Sequence, residues 1–191
     1  MLLKRRASAK HVAMGGVLLA LCVVLVYLSS LAPSGKIALL ALASFLTGIL
    51  LLETGPGFAA TYCLAASALL LVLVQNKIAV VPYIFFFSGY GIVKYYLEKR
   101  RPDGAPAVSR WMEYLLKYLM FHGALGISLL FGIFITAGGL ETVKTAWNSL
   151  PAGLPRAGAI LVLELAFLAY DFAYSVFMDF YQRRIRRRIS L

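Results

Sequence analysis

Two carboxylates, Glu164 and Asp171, lie inside the last long apolar stretch of the chain. Seven residues apart, they share one face of a helix, with Leu168 between them and Ser175 just beyond. At about 1.5 Å per residue, Asp171 is expected near a bilayer midplane and Glu164 nearer the outer surface. A charged carboxylate in hydrocarbon costs about 3 kcal/mol on insertion scales unless it is paired, protonated or hydrated. Both should therefore point at partners or into a polar cavity. Two readings stand: an interhelical hydrogen bond that fixes packing, or a contact to a ligand or cation. His122, in the preceding apolar stretch, counts to a depth similar to that of Asp171. The expectation is a His122–Asp171 hydrogen bond, with a proton relay as its functional extension.

Other side chains could support such a site. The fourth apolar stretch carries Tyr83, Phe85, Phe86 and Phe87, then Ser88-Gly89-Tyr90-Gly91, then Tyr95 and Tyr96. Aromatic residues near each end suit the membrane interface, and the two glycines let a backbone or a ligand approach closely. Tyr90 thus joins Glu164, Asp171 and His122 as a candidate ligand contact. Trp147, between the fifth and sixth stretches, joins them from the outer side. Lys94, Lys117 and Asp179 fall near one common end of the last three stretches. Snorkelling with local i, i+4 pairs, Lys94/Glu98 and Glu113/Lys117, explains them.

Several chemistries are not encoded. Cys22 and Cys63 both sit in apolar runs and read as small packing residues, not as a disulfide pair. Two cysteines and two distant histidines give no metal spacing. There is no Gly-x-Ser-x-Gly, no phosphate-binding glycine loop before a lysine and no His-Glu-x-x-His. No catalytic residue and no cofactor is assigned, and the chain is read as a non-enzyme. A lipid-modifying enzyme using Glu53, Asp171 or His122 is a distant third reading.

The elements that must position these residues are set by hydropathy. Of 191 residues, 61% are hydrophobic and 14% charged, which leaves too little polar surface for a water-soluble domain of this length. Apolar helices are predicted over about 12–31, 37–52, 58–74, 78–97, 112–136 and 157–181. Only helices with internally paired backbones suit such runs in lipid. The fold class is all-α: a single polytopic domain over 1–191 with six transmembrane helices. The first run is too long for a cleaved signal and is read as a retained helix. Glu53-Thr-Gly-Pro-Gly57 is a tight turn, and about 141–149 is expected as a short interfacial helix. No internal repeat is visible.

The net charge of +11 is placed by topology. Fifteen of the nineteen basic residues fall before the first run, in or beside the loop between the fourth and fifth, or after the sixth. Only Lys36, Lys77, Lys144 and Arg156 fall in the alternate gaps. This positive-inside pattern predicts cytoplasmic termini in a multi-pass protein of the cell (inner or plasma) membrane. The charge is directed at anionic lipid, not nucleic acid. The run from Arg183 to Arg188 gains about 1 kcal/mol per charge at an anionic leaflet.

The first helix carries Ala9-x-x-x-Ala13 and Gly16-x-x-x-Ala20, small residues one turn apart that allow close helix approach. With six helices and cytoplasmic termini, this segment resembles the substrate-binding S components of energy-coupling factor vitamin transporters. The resemblance implies that Ala9, Ala13, Gly16 and Ala20 dock onto a transmembrane coupling subunit served by separate ATPases. It implies a small solute held by helices 4 to 6, bordered by Glu164, Tyr90 and the segment around Trp147. The first outer loop, 32–36, is shorter than a substrate lid, and no vitamin-specific motif is present. The chain is similar in size also to a bacterial rod-shape membrane scaffold. The alternative function is accordingly an assembly protein recruiting partners through its basic inner loop and tail.

Overall fold

A computed structural model describes residues 9–99, 108–135, 139–148 and 156–186. Among them every regular element is helical, and six helices are long and apolar enough to cross a membrane. The chain is a multi-pass membrane protein. It divides into two compact units, Met1–Leu115 and Leu116–Leu191.

The first unit contains α1 (Ala9–Leu31), α2 (Lys36–Thr54), α3 (Pro56–Leu73) and α4 (Lys77–Glu98). Helix α2 lies at its centre, packed on α1, α3 and the second half of α4. Small and β-branched positions such as Ala43, Ser44, Thr47 and Gly48 let those neighbours approach it. The turn into α3 is made by Gly55, at φ 91° and ψ 172°, a region open essentially only to glycine. Pro56 then begins α3, where its missing N–H costs nothing. At the far end of α3 the Lys77 ammonium turns back onto the carbonyls of Leu71 and Val74, while Asn76 caps the start of α4 through its side chain.

Helix α4 is wound in three parts. Pro82 ends the segment Lys77–Pro82, a wider π-type turn follows over Tyr83–Phe87, and α-geometry resumes over Ser88–Glu98. The Ser88 N–H donates to the Tyr83 carbonyl five residues back. The widening sends Tyr83, Phe86, Phe87 and Tyr90 into the core, with the Phe86 and Tyr90 ring centroids 5.0 Å apart. A polar seam runs through the same interior. The Cys22 thiol donates to the Tyr83 hydroxyl at 2.9 Å, Tyr62 to the Leu18 carbonyl at 3.0 Å, and Cys63 to the Ser88 carbonyl at 2.9 Å. Both cysteines are free thiols that bind α1, α3 and α4 together as donors.

Helix α5 (Arg110–Ile135) starts in the first unit and runs through the second. It is followed by α6 (Gly139–Asn148) and α7 (Arg156–Phe180), which continues as a π-wound turn over Tyr181–Arg186. A short helix is expected at about 141–149, and α6 is a helix over Gly139–Asn148, beginning two residues earlier. Parts of the basic clusters, Lys4 to Arg6, Arg100, Arg101, Arg187 and Arg188, lie outside the described residues.

Candidate functional site

In the second unit α5 and α7 meet through large side chains in antiparallel order. Along α5, Phe121 follows Lys117 by one turn and His122 stands next to it; along α7, Glu164 and Asp171 lie seven residues apart on one face with Phe167 between them, in the reverse order. The rungs are Lys117 Nζ to Asp171 Oδ2 at 3.3 Å, Phe121 stacked on Phe167 at 4.5 Å between centroids, and His122 Nε2 to Glu164 Oε1 at 3.0 Å. Tyr118 packs edge-on against Phe167 at 5.1 Å and stacks on His122 at 6.0 Å. Two acid–base pairs thus flank one aromatic layer.

This arrangement corrects the expected His122–Asp171 hydrogen bond. His122 bonds Glu164 instead, and Asp171 bonds Lys117. The earlier count set depth from the estimated helix ends, whereas the stacked Phe121–Phe167 layer sets the register. The acid facing His122 is shifted by seven residues, about two helical turns. Lys117 also departs from snorkelling: only 2% of it is exposed, so its ammonium turns inward to the acid. Lys94 is likewise buried, paired with Glu98 at 2.7 Å and lying 6.0 Å over the Tyr90 ring.

The His122 pair differs from the Lys117 pair in exposure. The His122 side chain is 54% exposed and that of Glu164 23%. The imidazole Nδ1 lies 3.0 Å from the Tyr118 carbonyl, which can only accept, so Nδ1 carries a hydrogen in that bond. Glu164 Oε2 is buried and accepts no hydrogen bond from any described residue. One acceptor is therefore left over beside a half-open imidazole.

The other candidate residues are distributed differently. Tyr90 is fully buried in the core of the first unit. Trp147 falls on α6, and its side chain lies outside the described residues. Ala9, Ala13, Gly16 and Ala20 all lie on an exposed face of α1, and a Cβ on Gly16 would meet nothing within 4 Å. The glycine that packs inside is its neighbour Gly15, where a Cβ would come within 3.0 Å of the Phe58 ring. Sequence reasoning missed Tyr118, Phe121 and Phe167 as part of the site. Their signal was present: a base–aromatic–base order on one helix matches an acid–aromatic–acid order read backwards on the other.

Among the described residues no group of three or more His, Cys, Asp or Glu could hold a metal ion. No family model, curated protein or solved structure matches the chain.

Proposed function

We propose that this protein is the integral membrane, solute-binding subunit of a micronutrient uptake system, of the kind represented by energy-coupling factor S components. The observation that carries the reading is the half-open His122–Glu164 pair within two membrane-spanning helices. Ionisable groups at such positions are expensive against lipid and face a polar cavity, another chain or a bound molecule.

The subunit character rests on α1. Its small residues Ala9, Ala13, Gly16 and Ala20 are not consumed by packing within the first unit, so they remain for a neighbouring transmembrane helix. Energy then comes from partner ATPases, and the basic clusters hold both termini at the cytoplasmic face of the cell membrane.

Native mass spectrometry of protein released gently from its own membranes tests this function. The expected result is a retained small organic molecule that is lost in Glu164→Gln while the variant stays folded. An empty protein carrying only lipid, or a cytoplasmic partner held through the basic tail, would reject solute binding in favour of a scaffold.

A further inference from the structure

Helix α6 begins where a membrane span ends. Its first residue, Gly139, lies back against the last turn of α5: a Cβ there would stand 3.7 Å from the Ile133 carbonyl oxygen. Gly139 has φ 49°, a left-handed backbone that keeps α6 from continuing α5 as one straight helix. The last turn of α5 is apolar and open, with Phe134 82% and Ile135 50% exposed. The start of the next span is similar, with Ile160, Leu161 and Val162 all exposed. Open apolar surface on membrane-spanning helices is lipid surface, so lipid reaches to within a few residues of this segment along both spans.

The sequence of α6 divides cleanly around its axis. At about 100° per residue, Leu140, Val143, Ala146 and Trp147 fall within one arc of about 120°. Glu141, Thr142, Lys144, Thr145 and Asn148 fill the rest of the circle. Glu141, Lys144, Thr145 and Asn148 are exposed, as the water side of an amphipathic helix should be. Leu140 is exposed as well, although it belongs to the apolar arc. Lys144 Nζ pairs with Glu141 Oε1 at 2.7 Å, so the two formal charges of the helix cancel. What draws α6 to a surface is therefore apolar area and a tryptophan, the residue favoured at headgroup level, and not attraction to anionic lipid.

We propose that α6 is an in-plane membrane anchor, lying at the boundary of headgroups and acyl chains on the side where α5 ends and α7 begins. The arc of Leu140, Val143, Ala146 and Trp147 is turned to the acyl chains, and the opposite arc to water. The partner of the apolar arc is lipid, and zwitterionic lipid is enough. Trp147 is thereby a lipid contact and not a border of the solute. The proposal goes beyond the solute-binding reading and does not depend on it.

Tryptophan fluorescence tests it. The chain has two tryptophans, and Trp111 is 88% exposed, so Trp111→Phe leaves Trp147 as the sole reporter at little cost to packing. The variant is placed in phosphatidylcholine nanodiscs whose lipids carry bromine near the headgroup, at mid-chain or at the chain end. The expected result is strongest quenching by the shallow bromine and weak quenching by aqueous iodide, unchanged when part of the lipid is phosphatidylglycerol. Adding Leu140→Asp should raise iodide quenching by about threefold as the helix lifts into water. The bromine series decides the matter even if that second variant does not fold. Dominant iodide quenching in Trp111→Phe overturns the proposal, as does strongest quenching by chain-end bromine. A tryptophan reached by neither quencher is covered by protein and overturns it too. Shallow quenching that needs phosphatidylglycerol overturns the uncharged mode of anchoring, and a folded Leu140→Asp variant with an unchanged signal overturns the apolar arc as the anchor.

Discussion

Removing one partner of the Lys117–Asp171 rung should expose how much of the second unit depends on it. At 3.3 Å and an effective dielectric of about 20, the gross attraction is about 5 kcal/mol. Desolvation consumes much of that, because Lys117 is almost wholly buried and Asp171 only 16% exposed. Asp171→Asn leaves a buried ammonium facing a neutral amide and should cost about 3 kcal/mol of unfolding free energy. Lys117→Met should cost less, about 2 kcal/mol, since Asp171 keeps some access to its surroundings. The double variant Lys117→Met, Asp171→Leu should lie within about 1 kcal/mol of the parent, because a well-packed apolar pair replaces an ion pair nearly neutrally.

Chemical unfolding in micelles followed by far-ultraviolet circular dichroism measures all four corners of this cycle. A coupling energy of about 2 kcal/mol or more is expected between residues 117 and 171, with a second coupling between 122 and 164. The cross pair, His122 with Asp171, should couple more weakly than either. Losses that add to within about 0.5 kcal/mol for Lys117 and Asp171 would refute the rung as an energetic unit. A dominant His122–Asp171 coupling would restore the register counted from helix ends.

Four further substitutions test the first unit. Gly15→Val should lower stability by about 1–3 kcal/mol through overpacking against Phe58, while Gly16→Val, on the open face of α1, should leave thermal unfolding unchanged and weaken only the association with a partner helix; pull-down yields and melting curves separate the two. Gly55→Ala forces a side chain into backbone space reserved for glycine and should cost about 1–3 kcal/mol, read from unfolding midpoints. Cys22→Ala strips the Tyr83 hydroxyl of its buried thiol donor and should cost about 1–3 kcal/mol. A membrane-permeant maleimide should leave both cysteines of the folded parent unlabelled, and rapid labelling under native conditions would contradict their burial.

Much of this architecture is legible in the chain, for identifiable reasons. Long apolar runs have few solutions in lipid, so six membrane-length helices follow from composition and run length alone. Gly55-Pro56 and Asn76 mark helix boundaries with local chemistry that does not depend on what packs nearby. The inside of α4 is harder to read. Pro82 announces a disturbance, yet the π-type turn that follows it and the contact of Tyr83 with Cys22, sixty-one residues earlier in sequence, have no local signal. The choice between Gly15 and Gly16 is similar. Both are small and adjacent, and only the position of Phe58 on α3 decides which of them is inside.

The pairing of the acids shows why helix ends are a poor ruler for a site. Depth counted from approximate termini accumulates an error at each end, and two turns of error exchange one acid for the other. The layer of Phe121 on Phe167 is a better ruler, because stacked rings are large, apolar and intolerant of a one-turn slip. Once those rings are aligned, Lys117 and His122 reach Asp171 and Glu164 without further choice. Enlarging the slip tests this directly. Phe121→Ala and Phe167→Ala each remove the aligning layer while leaving the side chains of Lys117, Asp171, His122 and Glu164 in the chain. If the rings set the register, either change should weaken the Lys117–Asp171 and His122–Glu164 couplings together. If the charges set it, both couplings should survive at full strength in a helix pair that has lost only its packing energy.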